Sequence, residues 1–82
     1  MRASVEIFAR AMELTLQKHD TDKSGWKDCN ISWLISRLEE ELIELKHAFD
    51  NCDPESVIAE SIDVANFTMM IYDNLTKESE EV

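Results

Sequence analysis

The sequence predicts an all-α protein: a three-helix subunit, with long antiparallel second and third helices, that assembles into an oligomeric helical bundle. Three observations lead to this fold class. The chain has 82 residues, which is enough for one domain at most, covering 1–82. Apolar residues recur at the three-to-four-residue spacing of amphipathic helices. The single glycine, Gly25, and the single proline, Pro54, divide the chain into three such segments.

The first two segments have clear limits. The first helix is predicted over about 4–19, where apolar residues share one face. The polar stretch 20–29 holds the only glycine and is predicted as a loop. The second helix is predicted over about 30–50, with Asn30 or Asp28 as its N-cap.

The third helix is predicted over about 54–77, and the stretch 51–55 is predicted as the tight turn that leads into it. Asp53 is a favourable N-cap and Pro54 suits the first helical position. Two shorter helices do not cover a helix that is apolar on nearly every side, so we predict a homo-oligomer, at least a dimer, formed through this helix. Its apolar residues are Val57, Ile58, Ile62, Val64, Ala65, Phe67, Met69, Met70, Ile71 and Leu75.

The chain is acidic, and its charge is unevenly distributed. The 18 Asp and Glu residues exceed the 8 Lys and Arg residues, which gives a formal net charge of −10. This charge disfavours binding to a nucleic-acid polymer or to an anionic membrane surface. No apolar run approaches the roughly 18 residues of a membrane span, and two cysteines make no disulfide framework, so we expect a cytoplasmic protein. The whole excess lies in residues 31–82, with thirteen acidic and three basic residues.

Four of these acidic residues occupy positions where the helical pattern places buried faces. They are Glu41 and Glu44 on the second helix and Glu60 and Asp63 on the third. The short turn makes the two helices antiparallel neighbours, and both pairs lie at similar distances from it, so we expect them to face each other. The alternative is that 39–41 is simply a solvated acidic run.

Four carboxylates brought together repel each other strongly unless protons or cations neutralise them. Oxygen ligands around a small space suit Mg²⁺, with Mn²⁺ as a possible substitute. Mg²⁺ held by a few carboxylates completes its coordination with water and substrate phosphates, which indicates phosphate-bond cleavage.

The two pairs also form a recognisable motif. E-x-x-E lies within LEEELIEL at 38–45, and E-x-x-D lies within ESIDVANF at 60–67. In this order, on consecutive helices joined by a short turn, they resemble the signature of the MazG-like all-α nucleoside triphosphate pyrophosphohydrolases. The resemblance covers about residues 20–75 and includes a Gly-Trp loop ahead of the first motif.

The resemblance implies hydrolysis of a nucleoside triphosphate between its α and β phosphates, giving a monophosphate and pyrophosphate. It implies that Glu41, Glu44, Glu60 and Asp63 bind Mg²⁺, and Glu41 is our choice for the group that accepts a proton from the attacking water. Members of the family are dimers or tetramers. Close relatives act on phosphoribosyl-ATP, so the base and sugar of the nucleotide substrate stay open.

Five further residues are candidate substrate contacts. Trp26 could stack on a base, and Lys23 or Lys27 could bind phosphates. Asn66 and Asn74 are polar residues among apolar neighbours on the third helix and could hydrogen-bond the substrate. Each has a structural alternative: Trp26 could pack over the helix junction, the lysines could be solvated, and the asparagines could make interhelical hydrogen bonds.

Two other functions are weaker alternatives. The stretch 20–25 opens like an EF-hand calcium loop, but the position of the bidentate glutamate is occupied by Ile31. A non-catalytic helical interaction module would also explain the long apolar helix. Such a module would be better served by leucines than by carboxylates on the buried faces.

Overall fold

A computed structural model of the chain describes residues 1–19 and 25–80. Within these ranges it has three helices and no strand: α1 (Ala3–Lys18), α2 (Ile31–Asp50) and α3 (Pro54–Glu80). The all-α class and the three-segment order are therefore confirmed, with helix limits that differ from the predicted ones by up to three residues. In the described ranges, no helix combines the length and the apolar character that crossing a lipid bilayer requires.

The central element of the fold is α3. It packs against α2 along the helical hairpin and against α1 on another side. Apolar side chains of α1 near Phe8 lie beside those of α3 near Ile62, and Asn66 of α3 donates a hydrogen bond to the Met12 carbonyl oxygen. The start of α2 lies near the end of α3, so these two helices are antiparallel, as predicted. Because α3 has two helical neighbours, its sequence is apolar on more than one face.

Side-chain caps begin both long helices. Asn30, one of the two predicted caps, accepts hydrogen bonds from the Ser32 and Trp33 backbone nitrogens at 2.7 and 3.3 Å. Asp53 accepts one from the Ser56 backbone nitrogen at 3.3 Å and one from the Ser56 hydroxyl at 2.7 Å. These bonds from Ser56 hold the pKa of Asp53 below its ordinary value. The caps stabilise the two helix starts and set the limits of the hairpin.

The turn between α2 and α3 is a Schellman motif. The Cys52 nitrogen donates to the Phe49 carbonyl oxygen at 3.1 Å, and the Asp53 nitrogen donates to the Ala48 carbonyl oxygen at 3.0 Å. The motif requires a left-handed residue after the helix cap, and Cys52 takes this conformation with φ of 55°. Glycine is the usual residue here, because a Cβ atom makes the left-handed conformation unfavourable.

The core of the single subunit is small. Among the described residues, Leu34 and Ala48 are the buried apolar residues, and Glu41 and Asn66 are the buried polar ones. Trp33, which the helical pattern places near the apolar side of α2, is 52% exposed. Large apolar side chains are exposed on all three helices, including Ile7, Phe8, Leu14, Ile35, Leu42, Ile43, Phe49, Ile58, Tyr72 and Leu75. The isolated subunit thus leaves much of its apolar surface uncovered.

The strained turn leads to a stability prediction. Replacing Cys52 by glycine should raise the free energy of unfolding by about 0.5–1 kcal/mol, because the relief of left-handed strain exceeds the extra backbone entropy that glycine loses on folding. Urea denaturation followed by circular dichroism measures this change. Cys52→Ala is the matched control, since it removes the thiol and keeps the Cβ atom. Equal stability of the two variants would contradict the argument.

Candidate metal centre

A cavity of about 530 Å³ lies between the second half of α1, the loop residues from Gly25 onward, and the helices α2 and α3. Its volume is within the range of about 300–1,000 Å³ that is usual for small-molecule sites. Its lining includes the four predicted carboxylates, Glu41, Glu44, Glu60 and Asp63, and three aromatic side chains, Trp26, Trp33 and Phe67. The cavity therefore combines acidic and aromatic surfaces.

The antiparallel hairpin brings three of the four carboxylates into one group. One carboxylate oxygen from each of Glu41, Glu60 and Asp63 lies within 4.8 Å of the others. Glu41 is 6% exposed, although it belongs to an acidic run that could have been solvated. Glu44 also lines the cavity, but it is exposed and lies outside this three-oxygen group. The two motifs thus face each other, with Glu44 at the periphery.

Glu41 is the most perturbed carboxyl group of the described chain. Burial raises its pKa to about 8, because an ionised carboxylate loses hydration in the cavity wall. Glu60 and Glu44 raise it further, because they accept hydrogen bonds from the protonated form and repel the ionised form. The Arg37 guanidinium, whose Nη2 lies 3.3 Å from Glu41 Oε2, does not offset these effects. Without a bound cation, Glu41 therefore holds a proton at neutral pH.

Two buried oxygen atoms beside this group lack a hydrogen-bond donor. Asn66 is 4% exposed, and its Nδ2 donates to the Met12 carbonyl oxygen at 3.4 Å, so its Oδ1 is an acceptor. With the carboxyl groups ionised, no described residue donates to Asn66 Oδ1 or to Glu60 Oε2. A buried acceptor without a partner costs roughly 1–3 kcal/mol. Both residues line the cavity, so a cation or an external hydrogen-bond donor within it would stabilise these two oxygen atoms.

The donor set fits a small divalent cation. Three carboxylates and an amide oxygen are hard ligands of the kind that Mg²⁺ and Mn²⁺ prefer. The three carboxylate oxygens lie within 4.8 Å of one another, so side-chain adjustments that bring them closer together would let them share one ion.

Trp26 and Asn74, two of the predicted substrate contacts, differ in their position relative to the cavity. Trp26 lines the cavity, and its indole nitrogen donates to Asp73 Oδ2 at 3.0 Å. Asn74 does not line the cavity. Its Nδ2 donates to the carbonyl oxygens of Trp26 and Cys29, at 3.0 and 3.4 Å. Asn74 therefore holds the loop against α3, so its role is structural, although its bonds go to the loop and not to another helix as the alternative had it.

Of the two predicted lysines, Lys27 lies away from the described cavity. Lys27 is exposed and is not among the lining residues. Lys23 lies outside the described residues, as does the calcium-loop stretch 20–24. Asn66, in contrast, lies in the cavity wall beside the carboxylates, as a substrate or metal contact requires.

Arg37 and Trp33 line the cavity, although neither was among the candidate site residues. Arg37 contacts Glu40 and Glu41, and its guanidinium carbon lies 5.1 Å from the centre of the Phe67 ring. Its i, i+4 spacing from Glu41 was the available signal. The position of Trp33 near the apolar side of α2 does not by itself distinguish a core residue from one that lines a cavity.

Comparison with known proteins places the chain in a family without adding an activity. No family model and no solved structure matches it. A protein of Archaeoglobus fulgidus is 35% identical over 71 residues, which cover 87% of this chain and 75% of the archaeal protein. The chain belongs to the same family as this archaeal protein. The relative is described only as an uncharacterized protein, so the function has to be argued from the site.

The pKa of Glu41 leads to a pH dependence of stability. Its folded-state pKa of about 8 lies above the ordinary value of 4.5, so the folded state binds more protons between these values. The metal-free protein should therefore lose stability as the pH rises from 5 to 8. Melting curves in EDTA across this range measure the slope.

Glu41→Gln should flatten this slope, because the neutral amide does not titrate. The matched control is Glu39→Gln, which removes an exposed carboxylate two residues away on the same helix. If Glu41→Gln kept the slope of the control, the site of proton uptake would lie elsewhere.

Proposed function

We propose that the protein is an Mg²⁺-dependent nucleoside triphosphate pyrophosphohydrolase of the MazG-like kind, with Mn²⁺ as a possible substitute. The observation that carries the proposal is the group of Glu41, Glu60 and Asp63, whose oxygen atoms lie within 4.8 Å of one another. The buried Asn66 Oδ1, which lacks a donor among the described residues, supplies independent support. The order and spacing of the two motifs resemble the MazG-like signature, and the proposed reaction is taken from that resemblance.

The reaction would consume one water and cleave the bridge between the α and β phosphates. The water oxygen bonds to the phosphorus on one side of the bridge, and the bond from that phosphorus to the bridging oxygen breaks. The bridging oxygen leaves with the other product, so the products are a monophosphate and pyrophosphate. Bound Mg²⁺ would supply Lewis acidity at the phosphates and a more acidic water. Glu41, Glu60 and Asp63 would hold it, with Glu44 at the rim.

Glu41 remains our choice for the proton acceptor. Without a cation, burial raises the pKa of Glu41 to about 8. Binding of a cation beside it would favour the ionised form, which is the form that can accept a proton.

The aromatic part of the cavity is a suitable place for the nucleotide base. Trp26 is held by Asp73 and by the bonds from Asn74 to the loop, so its ring has a defined position beside the cavity. Trp33 lines the same cavity and remains half exposed, which leaves ring surface for stacking. No base-specific hydrogen bond is assigned, so the base stays open. Lys27 has no part in this arrangement.

We also propose that the working protein is a homo-oligomer, a dimer or a tetramer. Exposed apolar side chains on all three helices support it, because an interface between subunits would remove them from water. Part of this surface is a groove between α1 and α3, lined by Phe8 and Ile58 among others. The interface would thus use α1 and α2 as well as α3.

A non-catalytic interaction module is the second candidate, and the exposed apolar surface is the observation that favours it. The carboxylate group argues against it, since a surface used only for association gains nothing from buried Glu41. The two candidates differ in their response to Mg²⁺. The enzyme should melt at a higher temperature when Mg²⁺ is added, because the ion binds the folded state and relieves repulsion between carboxylates.

The proposed reaction is tested by pyrophosphate release from a panel of ribonucleoside and deoxynucleoside triphosphates with Mg²⁺. Glu41→Gln and Asp63→Asn should each lower the rate by roughly 100-fold or more, since each removes a ligand of the cation. Circular dichroism should show intact helices in both. Glu39→Gln is the matched control and should keep the wild-type rate. Full activity in both site variants would refute the site.

The oligomer is tested by sedimentation velocity at micromolar concentration. We expect a dimer or a tetramer, and Ile58→Glu should shift it toward the monomer by placing a charge on an exposed apolar position of α3. Lys46→Glu, at an exposed polar position of α2, should leave the assembly unchanged. A well-folded wild-type monomer would contradict the proposal.

A further inference from the structure

Arg37 occupies a distinctive place in the cavity. Among the described Lys and Arg residues, it is the one that lines the cavity. It lies one helical turn before Glu41 on α2, and its side chain is 34% exposed. It is thus partly covered by the cavity wall while its guanidinium group can still be reached by a ligand.

Three contacts hold the side chain. Its Nη2 donates to Glu41 Oε2 at 3.3 Å, and its Nη1 pairs with Glu40. The guanidinium carbon lies 5.1 Å from the centre of the Phe67 ring on α3, within the range of a cation–π contact. The contact with Phe67 positions the positive charge across the helix interface, next to the carboxylate group.

Arg37 and a divalent cation would compete for the same carboxylate. Both compensate the negative charge of the acidic groups around Glu41, and two positive groups a few ångströms apart repel each other. When a cation occupies the group formed by Glu41, Glu60 and Asp63, the attraction that holds Arg37 on Glu41 becomes weaker. The guanidinium group is then available to an anion in the cavity.

A triphosphate bound to one Mg²⁺ is such an anion, because it keeps a net negative charge after the ion has bound. Guanidinium groups bind phosphate oxygens through two parallel hydrogen bonds, and the described cavity wall offers no other Lys or Arg for this purpose. We propose that Arg37 is the counter-ion of the carboxyl groups around Glu41 in the metal-free protein and binds the phosphate chain of the substrate once the metal is present. This inference rests on the proposed function.

The first test measures Mn²⁺ binding alone, by calorimetry and without nucleotide. Arg37→Gln should bind Mn²⁺ about 3- to 10-fold more tightly than wild type, because a positive charge next to a ligand is removed. Arg37→Lys, which keeps the charge, should stay near wild type. Arg10→Gln is the matched control, since it removes the same charge from an exposed position on α1. Unchanged or weaker Mn²⁺ binding by Arg37→Gln would overturn the counter-ion role.

The second test measures the affinity for α,β-methylene analogues of ribonucleoside and deoxynucleoside triphosphates with Mg²⁺, using the analogue that binds wild type most tightly. Arg37→Gln should weaken this affinity about 10-fold or more, as expected for the loss of a hydrogen bond to a charged group. Its KM should rise by a similar factor while kcat changes little, and Arg37→Lys should recover part of the loss. A role limited to packing on Phe67 would leave the affinity of correctly folded Arg37→Gln unchanged, which would overturn the phosphate-binding role.

The two measurements separate this inference from the proposed function. If wild type binds Mn²⁺ but none of the analogues and releases no pyrophosphate, the proposed function and the phosphate-binding role both fail. The competition between Arg37 and the cation is then still decided by the Mn²⁺ titration. If wild type hydrolyses a triphosphate and Arg37→Gln binds the analogue as wild type does, only the phosphate-binding role fails.

Discussion

The close approach of Glu41, Glu60 and Asp63 is the constraint on which the other features of the cavity depend. Three carboxylates whose oxygen atoms lie within 4.8 Å of one another cannot all remain ionised without compensation. In the metal-free protein the compensation comes from a proton on Glu41, whose pKa burial raises to about 8, and from the guanidinium group of Arg37. A divalent cation would replace both. Protonation, ion pairing and the proposed metal binding are thus alternative ways to neutralise one cluster of charge.

The helical hairpin creates this constraint, and its turn determines the register. The Schellman motif at Cys52 and the cap at Asp53 end α2 and begin α3 within three residues. With the turn so short, positions at similar distances from it lie across from each other, which brings Glu41 opposite Glu60 and Asp63. The cost of a left-handed cysteine and of buried carboxylates is offset by packing elsewhere along the hairpin. Such local costs are typical of sites that bind ligands.

The fold and the facing motifs could be predicted because both depend on local periodicity and on a short turn. The residues around the motifs could not, because their partners are distant in sequence. Asn74 shares a helix face with Glu60, yet its amide holds the carbonyl oxygens of Trp26 and Cys29. Trp33 looks like a core residue, yet it lines a cavity. The i, i+4 spacing of Arg37 and Glu41 indicates their contact from the sequence. The contact of Arg37 with Phe67, in contrast, depends on the packing of α3 against α2.

The sequence by itself determined three helices, their caps, and two carboxylate pairs at matching distances from one turn, since helical spacing and turn chemistry act over a few residues. Only the tertiary structure decided that Glu41 is buried while Glu44 is exposed, and that α1 and the loop beyond Gly25 complete a cavity around the carboxylates. It also decided that Arg37 lies in that cavity wall. These outcomes depend on desolvation and on contacts between separate helices, and burial of a charge is a property of everything packed around it.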